Sequence, residues 1–174
     1  MWTGKKFVMP DSVATNWSHN GPYLFRLPDI LKHKTNLVAA LDIKESFSQN
    51  DFLRALQEMH HDFGSKPVSK KCQKLIPTLV NELLNTKELP ARFTCYLPNT
   101  SFVMSKASKL AYNDAKWCEV DEEYTFVNDI VPHGSAVKLG VKLVRSKLLQ
   151  QYESSISHFA GVEFGQRELL TQRI

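Results

Sequence analysis

The sequence holds three cysteines, Cys72, Cys95 and Cys118, and no two of them form a CxxC pair. That argues against both a disulfide framework and a zinc knuckle, and it fits a reducing compartment. No uninterrupted apolar run reaches membrane-spanning length, and Met1-Trp2-Thr3-Gly4-Lys5-Lys6 lacks the apolar core of a signal peptide. The expectation is therefore no membrane contact and a cytoplasmic setting, with the sequons at Asn16 and Asn99 coincidental. A strong charge of one sign is missing as well. The excess of 22 basic over 18 acidic side chains gives +4, too small and too mixed to imply a nucleic-acid partner by itself. Low-complexity segments and long flexible linkers are absent.

What remains is ordinary globular chemistry. The apolar fraction is 43% and the charged fraction 23% over 174 residues, enough for one domain with a sizeable core. Lys5–Met9 reads as a short strand stopped by Pro10-Asp11, and Tyr23–Phe25 as a second after the Asn20-Gly21-Pro22 break. Asp29–Leu41 has helical spacing at Ile30, Leu37, Val38 and Leu41. Ser48 is placed to cap a helix, with Asp51 three residues on and Phe47 and Phe52 in the staple positions. Phe52, Ala55, Leu56 and Met59 then form one apolar stripe. After the connector Gly64-Ser65-Lys66-Pro67, a second helical region runs from Pro67 to Asn85 with Cys72, Leu75, Ile76, Leu79 and Leu83 on one face. Pro77 inside it predicts a kink or two short helices, because it removes a backbone bond and clashes one turn back.

Beyond Pro90 the texture becomes β-like. Phe93–Leu97, the turn Pro98-Asn99-Thr100 and Ser101–Met104 have the form of a hairpin with a three-residue loop. Strand candidates follow at Leu110–Tyr112 and Tyr124–Val127. Pro132–Leu139 reads as a short helix ended by Gly140, which is expected to be left-handed, with Leu139 buried and Val141 leaving as an extended segment. Phe7-Val8-Met9 recurs as Phe102-Val103-Met104, and Ala40–Lys44 corresponds to Lys138–Lys142, at offsets of 95 and 98 residues. Two matches in the same order point to an internal duplication, with halves 1–89 and 90–160 around one core. Asp42 matches Gly140, and Asp tolerates the left-handed region better than most residues. The expected class is α+β, built of short hairpins and helices.

Three stretches carry a resemblance: Leu110-Ala111-Tyr112-Asn113-Asp114-Ala115-Lys116-Trp117, the run Lys138–Lys147, and Phe164-Gly165-Gln166-Arg167-Glu168-Leu169-Leu170. In these the chain resembles the sacsin family of giant chaperone-like proteins, from Trp2 onward. The resemblance implies that 1–160 is the non-ATPase module closing one large repeat. It also implies that 161–174 is the start of the lead-in to the Hsp90-like domain opening the next. A chain that stops inside an amphipathic pattern at Ile174 is then expected to be a piece of something larger. That ATPase's Asn-Ala-Asp-Asp-Ala motif and glycine-rich lid segments do not occur here, nor does the His-Pro-Asp of a J domain, since His60-His61-Asp62 lacks the proline. No nucleotide-site residue carries over, and no cofactor is expected.

Chemistry outside the resemblance is sparse. His60-His61-Asp62 with Glu58 is the densest titratable group, but neighbouring helical residues point about 100° apart, so the pair cannot chelate as an i,i+4 pair does. A solvated helix end is expected. Cys118, His133 and Asp129 offer a thiol–imidazole–carboxylate reading without a surrounding nucleophile motif. Gly134-Ser135 lacks the second glycine of a nucleophile elbow. Trp17 and Trp117 read as core or loop anchors. Lys138, Lys142, Arg145 and Lys147 make the strongest basic patch, extended by Lys5 and Lys6, without the interleaved aromatics of a nucleic-acid groove. With no catalytic constellation in these residues, the resemblance implies a non-catalytic module that spaces Hsp90-like domains. Its expected partners are neighbouring domains of the same chain, client proteins or Hsp70-type chaperones. A small basic nucleic-acid-binding domain is the alternative, and a thiol hydrolase built on Cys118 the third reading.

Overall fold

In chain order the secondary structure runs β1 (Val13–Ala14), β2 (Phe25–Arg26), α1 (Asp29–Lys32), α2 (Thr35–Ala40), α3 (Gln49–Phe63), α4 (Lys70–Asn85), β3 (Tyr96–Pro98), β4 (Met104–Lys106), β5 (Ala111–Tyr112), α5 (His133–Lys138) and β6 (Lys142–Leu143). This computed structural model describes residues 7–85, 89–90, 92–114 and 124–144. The class is α+β, with the strands in small two-stranded sheets: β1–β2 parallel, β3–β4 antiparallel and β5–β6 parallel.

The α3–α4 pair forms the middle of the molecule, and its cause is local. Ser48 and Asp51 form a capping box, Phe47 and Phe52 meet edge-to-face at 6.3 Å, and Phe52, Ala55, Leu56 and Met59 are buried. Helix α4 buries Cys72, Leu75, Ile76, Leu79, Val80 and Leu83. It runs unbroken through Pro77, so of the two expected alternatives, a kink or two short helices, the second does not hold. An interior proline costs about 3 kcal/mol, whereas each fully buried aliphatic side chain contributes about 1.5–3 kcal/mol. Ile76, Leu79 and Val80, all at 0% exposure around the proline, outweigh it.

Other elements are shifted from their expected places. Pro10–Ser12 is a 3-10 turn whose Ser12 hydroxyl donates to the Met9 carbonyl, and among the described residues the first strand is Val13–Ala14. Of the strand expected over Lys5–Met9, Phe7 makes a single β-bridge, and Lys5 and Lys6 lie outside the described residues. The Gly21 N–H bonds the Leu24 carbonyl, which uses up the start of the second expected strand and leaves Phe25–Arg26. The helix expected over Asp29–Leu41 breaks at His33–Lys34 into α1 and α2. Ile30 and Leu37 are consequently exposed, while Leu31, Val38 and Ile43 pack on Val13, Phe25 and Leu27. In the hairpin, Tyr96 pairs with Lys106 and Pro98 with Met104, so each partner lies four residues later on the return strand than a three-residue loop would place it. The reason is Asn99, whose side-chain oxygen accepts from the N–H groups of Ser101 at 2.9 Å and Val103 at 3.0 Å, closing a longer loop.

The two parallel sheets share a layout. Ala14 of β1 bridges to Arg26 on one side and Lys44 on the other; Ala111 of β5 bridges to Phe126 and Lys142. Helix α2 leads into Lys44 and α5 into Lys142. Each ends in a left-handed residue, Asp42 at φ 49° and Gly140 at φ 91°. Ile43 N–H bonds Val38 C=O and Val141 N–H bonds Ala136 C=O, both at 3.0 Å, while Asp42 and Gly140 N–H bond Ala39 and Val137 C=O. This is the double bond of a Schellman closure. Leu139 and Val141 are buried on either side of Gly140. By contrast, Phe7-Val8-Met9 and Phe102-Val103-Met104 do not fall on like elements. The first leads into the 3-10 turn, and the second closes the hairpin loop and starts β4.

Candidate functional site

Asp51 is the most elaborately held polar side chain. It is 4% exposed; one oxygen takes the Ser48 N–H at 2.9 Å and the Ser48 hydroxyl at 2.7 Å, and the other pairs with Lys44 and lies 3.4 Å from Arg54. Burial pushes its carboxyl up, but Lys44 and the two Ser48 donors outweigh burial and hold it below the usual carboxylate range. Arg54 in turn bonds Asp11 and approaches Glu58 at 3.9 Å. The group is a clasp between the residue leaving α2 and the start of α3. Every oxygen of Asp51 is engaged, which suits positioning and not proton transfer.

The His60-His61-Asp62 cluster diverges. His61 is exposed and lies 3.7 Å from Asp62, which accepts the Tyr23 hydroxyl at 2.9 Å. Burial, then the Asp62 bond and charge, push the Tyr23 hydroxyl pKa up. His60 is not the solvated side chain expected: it stacks on Tyr96 at 4.3 Å and 16°, with Nδ1 2.8 Å from the Met104 carbonyl. It fastens α3 to the hairpin. No three metal-ligating side chains converge among the described residues.

Of the nucleophile candidates, Cys118 lies outside the described residues, His133 packs against Tyr112 at 4.6 Å, and Ser135 sits within α5. Cys72 and Cys95 are buried, and burial pushes the Cys95 thiol up to about 12, so at neutral pH it is not a thiolate. Trp17 is buried between Phe47 and Phe52, with ring centroids at 5.4 and 5.7 Å, as an anchor; Trp117 lies outside the described residues.

The structure places two of the four patch residues. Lys138 ends α5 and Lys142 opens β6, both exposed, on either side of Gly140. Arg145 and Lys147, with Lys5 and Lys6, lie outside the described residues, as does the 161–174 lead-in. Sequence reasoning missed Asn128. Its amide donates to the carbonyls of Asn99 and Thr100, and its oxygen accepts from Ile130 N–H, tying the hairpin loop to the 124–131 segment. There the strand expected over Tyr124–Val127 is reduced to isolated bridges at Phe126 and Val127. Only the finished fold shows that pairing. Among the described residues no helix is long and apolar enough to cross a membrane.

The site chemistry and fold together define an α+β module whose buried polar groups close the fold upon itself. Over 166 residues, 88% of the chain, the sequence is 31% identical to sacsin from Homo sapiens, and the chain is a sacsin-related segment. The match spans 4% of the length of that relative. No family model matches the chain, and no solved structure matches it.

Proposed function

We propose that this segment is a non-catalytic structural and interaction module of a sacsin-like chaperone or co-chaperone, spacing Hsp90-like ATPase domains in the cytoplasm. The observation that carries the reading is the alignment: most of this chain corresponds to a small part of a very long relative, the relation of one module to a long multidomain chain. The chemistry agrees with it, since Asp51, His60 and Asn128 are engaged in joining elements of the fold. The module is 1–160, with 161–174 leading into the next domain. The shared layout around β1 and β5, with Schellman closures at Asp42 and Gly140, supports two related halves within it. Its partners are neighbouring domains of the same chain, and client proteins or Hsp70-type chaperones. Lys138 and Lys142, with the partly exposed Val137 beside them, offer a basic contact face, and no cofactor is needed.

The test is a titration of the chain with a separately expressed Hsp90-like domain of the sacsin type and with a single-stranded oligonucleotide. Saturable binding of the domain, weakened by Lys138→Glu with Lys142→Glu, is expected at physiological salt. Oligonucleotide binding that falls steeply with salt, without domain binding, would replace this reading by that of a basic nucleic-acid-binding domain.

A further inference from the structure

A second basic feature lies away from Lys138 and Lys142. A cleft of about 440 Å³ opens between the first turns of α3 and the β3–β4 hairpin, and its lining includes Leu53, Gln57, Arg92, Phe93, Tyr96 and Lys106. Every charged side chain lining it is a cation: Arg54, Arg92 and Lys106. Arg54 is committed to Asp11, Asp51 and Glu58. Arg92 and Lys106 are exposed and have no ion-pair partner among the described residues. Two cations without an ion-pair partner among the described residues thus face one concavity, Lys106 from β4 and Arg92 from the stretch before β3, and each raises the local potential for an anion.

We propose that this cleft binds an acidic peptide segment of a partner protein, with Arg92 and Lys106 pairing its carboxylates and Leu53 and Phe93 receiving an apolar side chain between them. The volume lies in the range of ligand-binding pockets, about 300–1,000 Å³. Part of the lining is preorganised: the Tyr96 ring is held by the stacked His60, itself 2.8 Å from the Met104 carbonyl, so the ordering cost of binding falls on the exposed Arg92 and Lys106. An acidic peptide fits better than nucleic acid. A phosphate backbone is tracked by a run of cations with open aromatic faces between them; here two cations are uncommitted and one face of Tyr96 is covered by His60. The inference rests on the interaction role proposed above and names a partner chemistry for it, at a site distinct from Lys138 and Lys142.

The experiment follows the amide NMR spectrum of the 174-residue chain as an acetylated Glu-Glu-Phe-Glu-Glu amide is added. Saturable shifts are expected at Gln57, Thr94 and Lys106, with Lys138 and Lys142 unmoved. Arg92→Gln with Lys106→Gln should weaken binding by about tenfold or more, and a Gln-Gln-Phe-Gln-Gln peptide should not bind. Both positions are exposed, so an unchanged melting curve for the variant will separate lost binding from lost folding, and Lys106→Gln alone serves if the double variant melts early. Absence of shifts at the cleft, or equal affinity in the variants, overturns the proposal. So does an equal response to inorganic phosphate, which would show an unselective charge effect, or preferential binding of a single-stranded oligonucleotide at the same amides. Loss of peptide binding with retained binding of the Hsp90-like domain assigns the cleft alone. Domain binding by a chain that never binds the peptide sinks the cleft and leaves the module reading standing.

Discussion

At the scale of single residues, the most exacting test is Asp51. Its folded carboxyl titrates below the usual range because Lys44 and Ser48 outweigh burial. A carboxyl whose pKa is lowered by folding adds stability that is fully present above its unfolded value, near 4, and is lost as pH falls through the lower folded value. Asp51→Asn should therefore cost about 1–3 kcal/mol at neutral pH, as for hydrogen bonds to a charged group. The gap to the parent chain should close below about pH 4. Denaturation midpoints measured across that range decide it, and a pH-independent gap would rule out the charge as the cause. Gly140 gives a second test. A Cβ there would meet nothing within 4 Å, so any cost of Gly140→Val comes from the backbone at φ 91° and should be about 1–3 kcal/mol. Asp42→Gly at the matching closure should change stability by less than about 1 kcal/mol, as relief of the left-handed penalty is offset by the greater freedom of glycine in the unfolded chain. Equal costs for a β-branched residue at Gly140 and at an ordinary exposed site would contradict the left-handed backbone. Ser48, Asp51 and Gly140 are legible in sequence because their reasons lie within a few residues. His60 and Asn128 are not, because their partners Met104 and Asn99 are 44 and 29 residues away.

At the scale of elements, legibility follows length. Helices α3 and α4 have 15 and 16 residues, enough turns for the apolar stripe to stand out. Strands of two or three residues have too few positions for an alternation to register, so β1, β2 and the hairpin register are set by turns that only the structure shows. The cleft escaped notice for a related reason. Leu53, Arg92 and Lys106 come from three separate stretches, and each reads as an ordinary residue where it stands. The central helix pair gives measurable consequences. Leu56→Ala, at 0% exposure on α3, should cost about 2–5 kcal/mol. Pro77→Ala should act in the opposite sense. It restores a backbone bond to the Gln73 carbonyl, and after allowance for the unfolded chain the gain should be about 1–2 kcal/mol. A loss on replacing Pro77 would mean that its ring packs better than its missing N–H costs.

At the scale of the whole molecule, the main apolar cluster runs from Ala14 and Trp17 through Leu56, Ile76 and Leu79 to Leu97, Leu110, Leu139 and Val141. It draws on both sides of residue 90, and His60 adds a polar tie to Met104 across the same divide. Two small satellite clusters, around Val13 and Leu27 and around Ala111 and Val144, sit against the parallel sheets. Two halves joined only by a hinge would each need a core of their own, and fragments of under about 100 residues bury too little surface for that to be comfortable. The described residues should therefore unfold as one cooperative unit, with the sheets opening locally at lower free energy. Leu139→Ala tests this from the far end of the cluster. Leu139 is 3% exposed on the residue after α5, and its truncation should lower global stability by about 2–5 kcal/mol. In a cooperative unit, the amides of the fully buried Leu56 and Met59 of α3 must lose protection by the same free energy although neither belongs to the segment mutated. Native-state hydrogen exchange reads that directly. If the loss is confined to amides after residue 90 while Leu56 and Met59 keep their protection, the cluster is two cores in contact, and the two stretches fold independently.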